Sequence, residues 1–260
     1  MFPPNLPPIK NIFVYGWRVI AKWLSFFIFG LGSVILALLV FPPMRLFLRV
    51  NSHFQKHARK FVSGSFKFFI FIMYILYIVK IKPDDKNKYK NLSSKIIVAN
   101  HPSLLDVVML ISLIPNADCI INAYLKKSIL SGVASKLYIL TSLDLDDILH
   151  SCTESLKQGN CLIIFPEGTR TPRTGKGILK KGAARIALAS GCGIIPIHIG
   201  GTDKFGLGKK DPWWGFNPRE KYIYELSMRE EINPEKYKDM PSPAAAKLIT
   251  MEIEKSLFPN

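Results

Sequence analysis

Along the chain the hydrophobic positions keep three different rhythms. From Trp23 to Met44 ("WLSFFIFGLGSVILALLVFPPM") no residue is charged, and apolarity over that length predicts a helix able to cross a hydrocarbon core. Pro42 and Pro43 are expected to end it, because proline lacks the amide hydrogen and crowds the preceding turn. A second run, "FFIFIMYILYIV" (68–79), is too short to span alone. It reads as an interfacial helix passing into a buried strand near 77–82. "KPDDKNKYKNLSSK" (82–95) is then a polar linker rich in turn formers.

Beyond the linker, short β-branched runs alternate with stretches of helical spacing. Strands are predicted at 95–100, 117–123, 136–142, 161–165 and 193–200. Helices are predicted at 103–113, 126–135, 146–159 and 179–191, with a closing amphipathic helix at 241–258. Residues 202–219, with paired tryptophans and several glycines and prolines, read as an irregular loop. This alternation implies an α/β fold, a mixed sheet flanked by helices, preceded by an N-terminal membrane-embedded helical segment. The expected division is 1–82 for the membrane-associated helical region and 83–260 for the α/β domain.

Charge sharpens the membrane reading. The net charge is +16, yet residues 1–83 hold no Asp or Glu and 11 Lys and Arg, so most of the excess lies in the most apolar third. Lys10, Arg18 and Lys22 precede the long apolar run; Arg45, Arg49, Lys56, Arg59 and Lys60 follow it. Cations beside apolar runs point to anionic membrane lipids. They do not form the polar basic patch of a nucleic-acid binder, and no nucleic acid is expected as a partner. A true span, a helical hairpin dipping into one leaflet and a buried core helix all fit the pattern. The four cysteines have no paired or zinc-ligand spacing, so neither a disulfide framework nor a metal is expected.

Two stretches carry candidate chemistry. In "ANHPSLLD" (99–106) His101 follows a strand and precedes a helix, where α/β proteins place reactive groups. Asp106, in the first helical turn, can accept a hydrogen bond from one imidazole nitrogen and leave the other as a general base. Ser103 as N-cap and Asp106 as capping-box partner is the plain structural alternative. In "FPEGTRT" (165–171) Gly168 permits close backbone approach and Arg170 offers a planar fork for an anion. Glu167 is placed to orient Arg170 or a substrate hydroxyl, while Arg173, Lys176, Lys180 and Lys181 keep the region positive.

Together "NHPSLLD" (100–106), "FPEGTRT" (165–171) and "LKKGAARIALASGCGIIPIHI" (179–199) resemble the glycerolipid acyltransferases of the lysophosphatidic acid acyltransferase type. The resemblance covers roughly 60–230. It implies O-acyl transfer from acyl-CoA or acyl carrier protein to a lyso-lipid acceptor, with no bound cofactor. His101 would be the base and Asp106 its orienting partner. Glu167, Gly168, Thr169 and Arg170 would bind the acceptor, with Lys180 and Lys181 adding positive charge and Pro196 shaping the later strand. It also implies a bacterial inner-membrane protein with its site on the cytoplasmic face. In one element this chain departs from the family: the usual Gly-x-x-Phe-x-x-Arg would fall on 137–147, which has no arginine and carries Asp144, Asp146 and Asp147. A non-phosphate hydroxylated lipid as acceptor, or lipid hydrolysis, are therefore the alternatives.

Overall fold

In the computed structural model of the chain, which describes residues 6–47, 51–121, 139–140, 145–173 and 175–258, the apolar third is a pair of long helices. Helix α1 (Ile12–Ile35) is capped by Asn11, whose side chain accepts the amides of Phe13 and Val14. It continues through a π-helical stretch (Leu36–Val40) into α2 (Phe41–Phe47). The prolines thus do not end the helical run as expected. They sit in the first turn of α2, where the missing amide hydrogen costs little. Helix α3 (Asn51–Ile75) packs against α1, and residues 68–75 of the second apolar run form its C-terminal third. Trp17 near the start of α1 donates its indole N–H to Leu76 O just past the end of α3, so the two helices are antiparallel.

The stretch Ile12–Met44 is long and apolar enough to cross a membrane, with mean hydropathy 2.6 and 11% of its apolar window buried. Arg18, Lys22 and Arg59 are buried, and Lys22 and Arg59 tie the helical pair to the rest of the fold. Lys22 Nζ donates to the carbonyls of Trp213 and Gly215, each at 2.6 Å. Arg59 pairs with Asp118 at 2.9 Å. A buried cation left without such partners would be costly.

Among the described residues seven strands follow: β1 (Val79–Pro83), β2 (Ile96–Ala99), β3 (Ala117–Ile121), β4 (Ile139–Leu140), β5 (Cys161–Ile164), β6 (Ile194–Gly201) and β7 (Tyr222–Met228). Their order is β1-β7-β6-β2-β5-β3-β4, and only the β6–β7 pair is antiparallel. The expected mixed sheet is therefore present, with β1 as an edge strand across the 82/83 boundary. Strand β7 did not emerge from the pattern reading, although "YIYELSM" buries Tyr222, Tyr224 and Leu226 on alternate positions as a one-sided strand should. The predicted helix at 126–135 lies outside the described residues, as does most of the strand at 136–142.

Helices α4 (Lys86–Lys90), α5 (Asp106–Leu113), α6 (Leu145–Lys157), α7 (Gly182–Ser190) and α8 (Ser242–Leu257), with a short 3-10 helix at Pro234–Tyr237, complete the described elements. One face of the sheet buries its apolar side chains with α1, α3 and α5; the other does so with α6, α7 and α8. Strands β2 and β5 are buried at every position, which explains their unbroken apolar runs. They are parallel neighbours, with Val98 opposite Ile164. The loops after them, 100–105 and 165–171, must therefore open on the same edge of the sheet.

Candidate active site

Where β2 ends, Asn100 turns its buried amide into β6. Its Nδ2 donates to Ile199 O at 2.9 Å, and its Oδ1 accepts from Ile199 N at 2.7 Å. That two-sided clamp fixes the point at which the chain leaves the sheet, and His101 is the next residue. His101 Nδ1 lies 2.8 Å from Asp106 Oδ2. The ring stacks on Phe165 at the end of β5, centroids 4.2 Å apart. Asp106 is fully buried, whereas the His101 side chain stays 17% exposed, so one imidazole edge faces the protein and the other faces the mouth.

The helical part of this stretch begins at Asp106, with Leu105 in the cap position, and Ser103 is not the N-cap. Ser103 instead holds the carboxylate. Its amide donates to Asp106 Oδ2 at 2.7 Å and its hydroxyl to Oδ1 at 2.5 Å. Asp106 thus does both jobs that the sequence left open: it satisfies a backbone N–H, and it faces the imidazole. A carboxylate that accepts from Nδ1–H leaves the lone pair of the neutral ring on Nε2. Among the described residues, Nε2 has no hydrogen-bond partner.

The second loop is tied to the first through its backbone. Glu167 is buried. Its Oε1 accepts from the Thr171 hydroxyl and, at 3.3 Å, from His101 N; its Oε2 accepts from Gly177 N at 3.2 Å. Thr171 Oγ1 accepts from His101 N at 2.8 Å, and Thr171 N donates to His101 O at 2.7 Å. Glu167 therefore does not orient Arg170. Gly177 is glycine for lack of room, since a Cβ there would stand 2.4 Å from Glu167 Oε2. Arg170 turns its Nη1 to the carbonyls of Leu207 (3.0 Å) and Gly208 (2.9 Å), pinning loop 202–219 beside the mouth.

Several of the expected cations are already matched by carboxylates. Arg173 makes a two-pronged pair with Asp203, and Lys176 pairs with Glu254 at 2.5 Å. Lys180 is different. It is exposed, its amide donates to Pro166 O at 2.8 Å, and its Nζ lies over Gly168, 2.9 Å from where a Cβ would be. Gly168 has φ +65°, a backbone state that favours glycine. Thr169 is exposed at the same turn, while Lys181 occupies the cap position of α7. Pro196 is buried inside β6 opposite Val98, and its carbonyl accepts from Arg229 N at 2.8 Å. Asp146 and Asp147 are exposed in the first turn of α6, where negative charge complements the helix dipole. Asp144 lies outside the described residues.

Two groups behind the pair escaped the sequence reading. Tyr224 of β7 is buried, and its hydroxyl lies 2.8 Å from Ser103 Oγ. Lys204 is buried with its Nζ 4.5 Å above the Tyr224 ring, donating to the carbonyls of Gly200 (3.3 Å), Thr202 and Ile223 (2.9 Å). Burial lowers its pKa to about 8 against the opposing pull of nearby carboxylates, Asp106 foremost. The signal for Tyr224 was the alternation in "YIYELSM"; for Lys204 there was none, because a lysine in a loop reads as solvated. Tyr224 and Ser103 form the outer part of a line running Tyr224–Ser103–Asp106–His101. Tyr224→Phe is expected to lower kcat a few-fold while KM stays unchanged, because it loosens the carboxylate without touching substrate. Steady-state kinetics of the variant beside a thermal unfolding curve checks this.

Residues 80–200 match the family model described as Acyltransferase. The chain is 34% identical over 113 residues to a chloroplast 1-acyl-sn-glycerol-3-phosphate acyltransferase of Arabidopsis thaliana, covering 41% of this chain and 32% of that protein. It is 35% identical over 106 residues to a 1-acyl-sn-glycerol-3-phosphate acyltransferase of Helicobacter pylori, covering 36% of this chain and 43% of that one. The matched stretch thus spans less than half the length of these relatives. The crystal structure of the 1-acyl-sn-glycerophosphate (LPA) acyltransferase PlsC from Thermotoga maritima shares the fold, with TM-score 0.61 and 21% identity over 92% of this chain and 97% of that one.

Proposed function

We propose that the chain moves a fatty acyl group from a thioester donor to the hydroxyl of a lyso-phospholipid such as 1-acyl-glycerol-3-phosphate, a reading supported by the match of residues 80–200 to the Acyltransferase family model. The observation that carries this reading is the His101–Asp106 pair, 2.8 Å apart at the meeting of two loops, with Nε2 turned to the mouth. Nε2 takes the proton of the acceptor hydroxyl as the oxygen attacks the thioester carbonyl. The C–S bond of the tetrahedral intermediate then breaks, and the leaving thiolate takes the proton from the imidazolium. Asp106 holds the tautomer and offsets the positive charge that forms. No acyl-enzyme is needed, since the attacking oxygen is the acceptor's own.

The donor is acyl-CoA or acyl carrier protein, and the acceptor reaches the mouth from a membrane in which Ile12–Met44 is embedded. We place that membrane in a bacterial cell, with the site on its cytoplasmic face, where acyl thioesters are found. Products analysed by mass spectrometry, from the full chain offered both donors and several lyso-lipids, test these assignments. Formation of a diacyl lipid supports the reading. A lipid lacking phosphate as the sole acylated product would instead favour a hydroxylated non-phosphate acceptor.

The acceptor phosphate is assigned to Lys180. Arg170 holds two carbonyls, and Arg173 and Lys176 are matched by acids. Lys180 stands over the glycine turn with no carboxylate in ion-pair range among the described residues. Lys180→Ala is expected to raise KM for lysophosphatidic acid on the order of tenfold, the loss of one charged hydrogen bond, with a smaller change in kcat. A zwitterionic lyso-lipid measured in parallel is expected to lose less. Equal losses for both acceptors would move the phosphate site elsewhere.

A further inference from the structure

At the end of α5 remote from Asp106, a groove of about 480 Å³ opens between α3, β1 and α4. Helix α5 starts at Asp106 in the site and ends at Leu113 on the groove, about 10 Å further on at 1.5 Å per residue. The groove is therefore separate from the mouth. Lys67, Lys80, Lys86 and Lys90 surround it, and all four are exposed. Among the described residues, none has a carboxylate within ion-pair distance. The acids next to them in sequence are engaged elsewhere. Asp84 accepts from the Tyr89 hydroxyl at 2.8 Å and Met228 N at 2.9 Å, and Asp85 caps α4 through Asn87 N. Four like charges gathered without acids call for an anion.

The floor says what kind of anion. It is apolar, built from Ile70, Phe71 and Tyr74 of α3 with Val79 and Ile81 of the edge strand. Phe71 and Tyr74 remain more than half exposed, and Phe68 and Ile75 extend the apolar face along α3. A small soluble anion would leave this surface in water, whereas an acyl chain would cover it. Helix α3 also packs against α1, the helix fit to cross a bilayer, so a lipid has direct access. We propose that this groove seats one anionic membrane phospholipid, its phosphate among the four lysines and an acyl chain along Ile70, Phe71 and Tyr74. The site goes beyond acyl transfer and does not depend on it, because the groove lies apart from the reacting pair. It would hold the helical pair and the edge of the sheet at a fixed depth in an anionic leaflet.

Native mass spectrometry of the detergent-purified full chain, titrated with phosphatidylglycerol or with phosphatidylcholine of the same chains, tests the site. Wild type is expected to retain one phosphatidylglycerol in preference to phosphatidylcholine. The triple variant Lys80→Gln, Lys86→Gln, Lys90→Gln is expected to lose that affinity by ~10-fold or more. A charge-matched control, Lys236→Gln, Lys247→Gln, Lys255→Gln, is expected to keep it. Equal retention of the two lipids, undiminished phosphatidylglycerol binding in the triple variant or an equal loss in the control would each overturn the proposal. So would a triple variant that still holds phosphatidylglycerol but no longer binds an acidic carrier protein, which would make the lysines a protein dock.

Discussion

His101→Ala is expected to lower acyl transfer by ~10²–10⁴-fold, the usual contribution of a general base, and to leave the protein folded. Among the described residues, loss of the imidazole removes the only proton acceptor that both reaches the mouth and is held by a buried carboxylate. The loop does not depend on that ring for its shape. It is fixed by the backbone exchange with Thr171 and by the Asn100 clamp on Ile199. The ring itself is partly exposed and contributes mainly its stacking on Phe165. Turnover measured beside a thermal unfolding curve checks both halves. An unchanged rate would remove His101 from the reaction.

Asp106→Asn is expected to cost a comparable factor, ~10²–10⁴-fold in kcat, for a different reason. An asparagine can present its NH₂ to Nδ1, which favours the tautomer with the proton on Nε2 and abolishes the base. It also strips an acceptor from a crowded site. Both Ser103 N and Ser103 Oγ now donate to the carboxylate, and an amide has one oxygen for the two of them. An unsatisfied buried donor costs about 1–3 kcal/mol, so this variant, unlike His101→Ala, is expected to melt lower as well. Kinetics and unfolding measured together separate the two effects. A variant that melts lower but turns over normally would leave Asp106 as a loop brace only.

What the sequence made legible was local. The short apolar runs "IIVA" and "CLIIF" read as buried strands. Adjacent parallel placement then brings the loops at 100–105 and 165–171 to one edge. The helix start at Ser103 was misread, because a serine three residues ahead of an aspartate fits a cap equally well as a carboxylate cradle. Arg170 looked like the anion clamp because a guanidinium beside a glycine is free until a loop nearly forty residues away offers it two carbonyls. Tyr224 reaches Ser103 across 121 residues, and no local pattern carries that contact. Lys22 and Arg59 read as cations for anionic lipid for the same reason, since their partners come from distant parts of the chain. Pro42 and Pro43 read as a stop, yet a π-helical turn just before them lets the helical run restart with the prolines in its first turn.

The central claim is that the acceptor's own hydroxyl, deprotonated at His101, attacks the thioester directly. The measurement closest to it is the stoichiometry of thiol released against acylated acceptor, with purified full chain, acyl thioester and lysophosphatidic acid, with and without the acceptor. The predicted result is one thiol per diacyl product, and negligible thiol release when the acceptor is omitted. Thiol release at the same rate without acceptor, accompanied by free fatty acid, would contradict it and make water the substrate of this site.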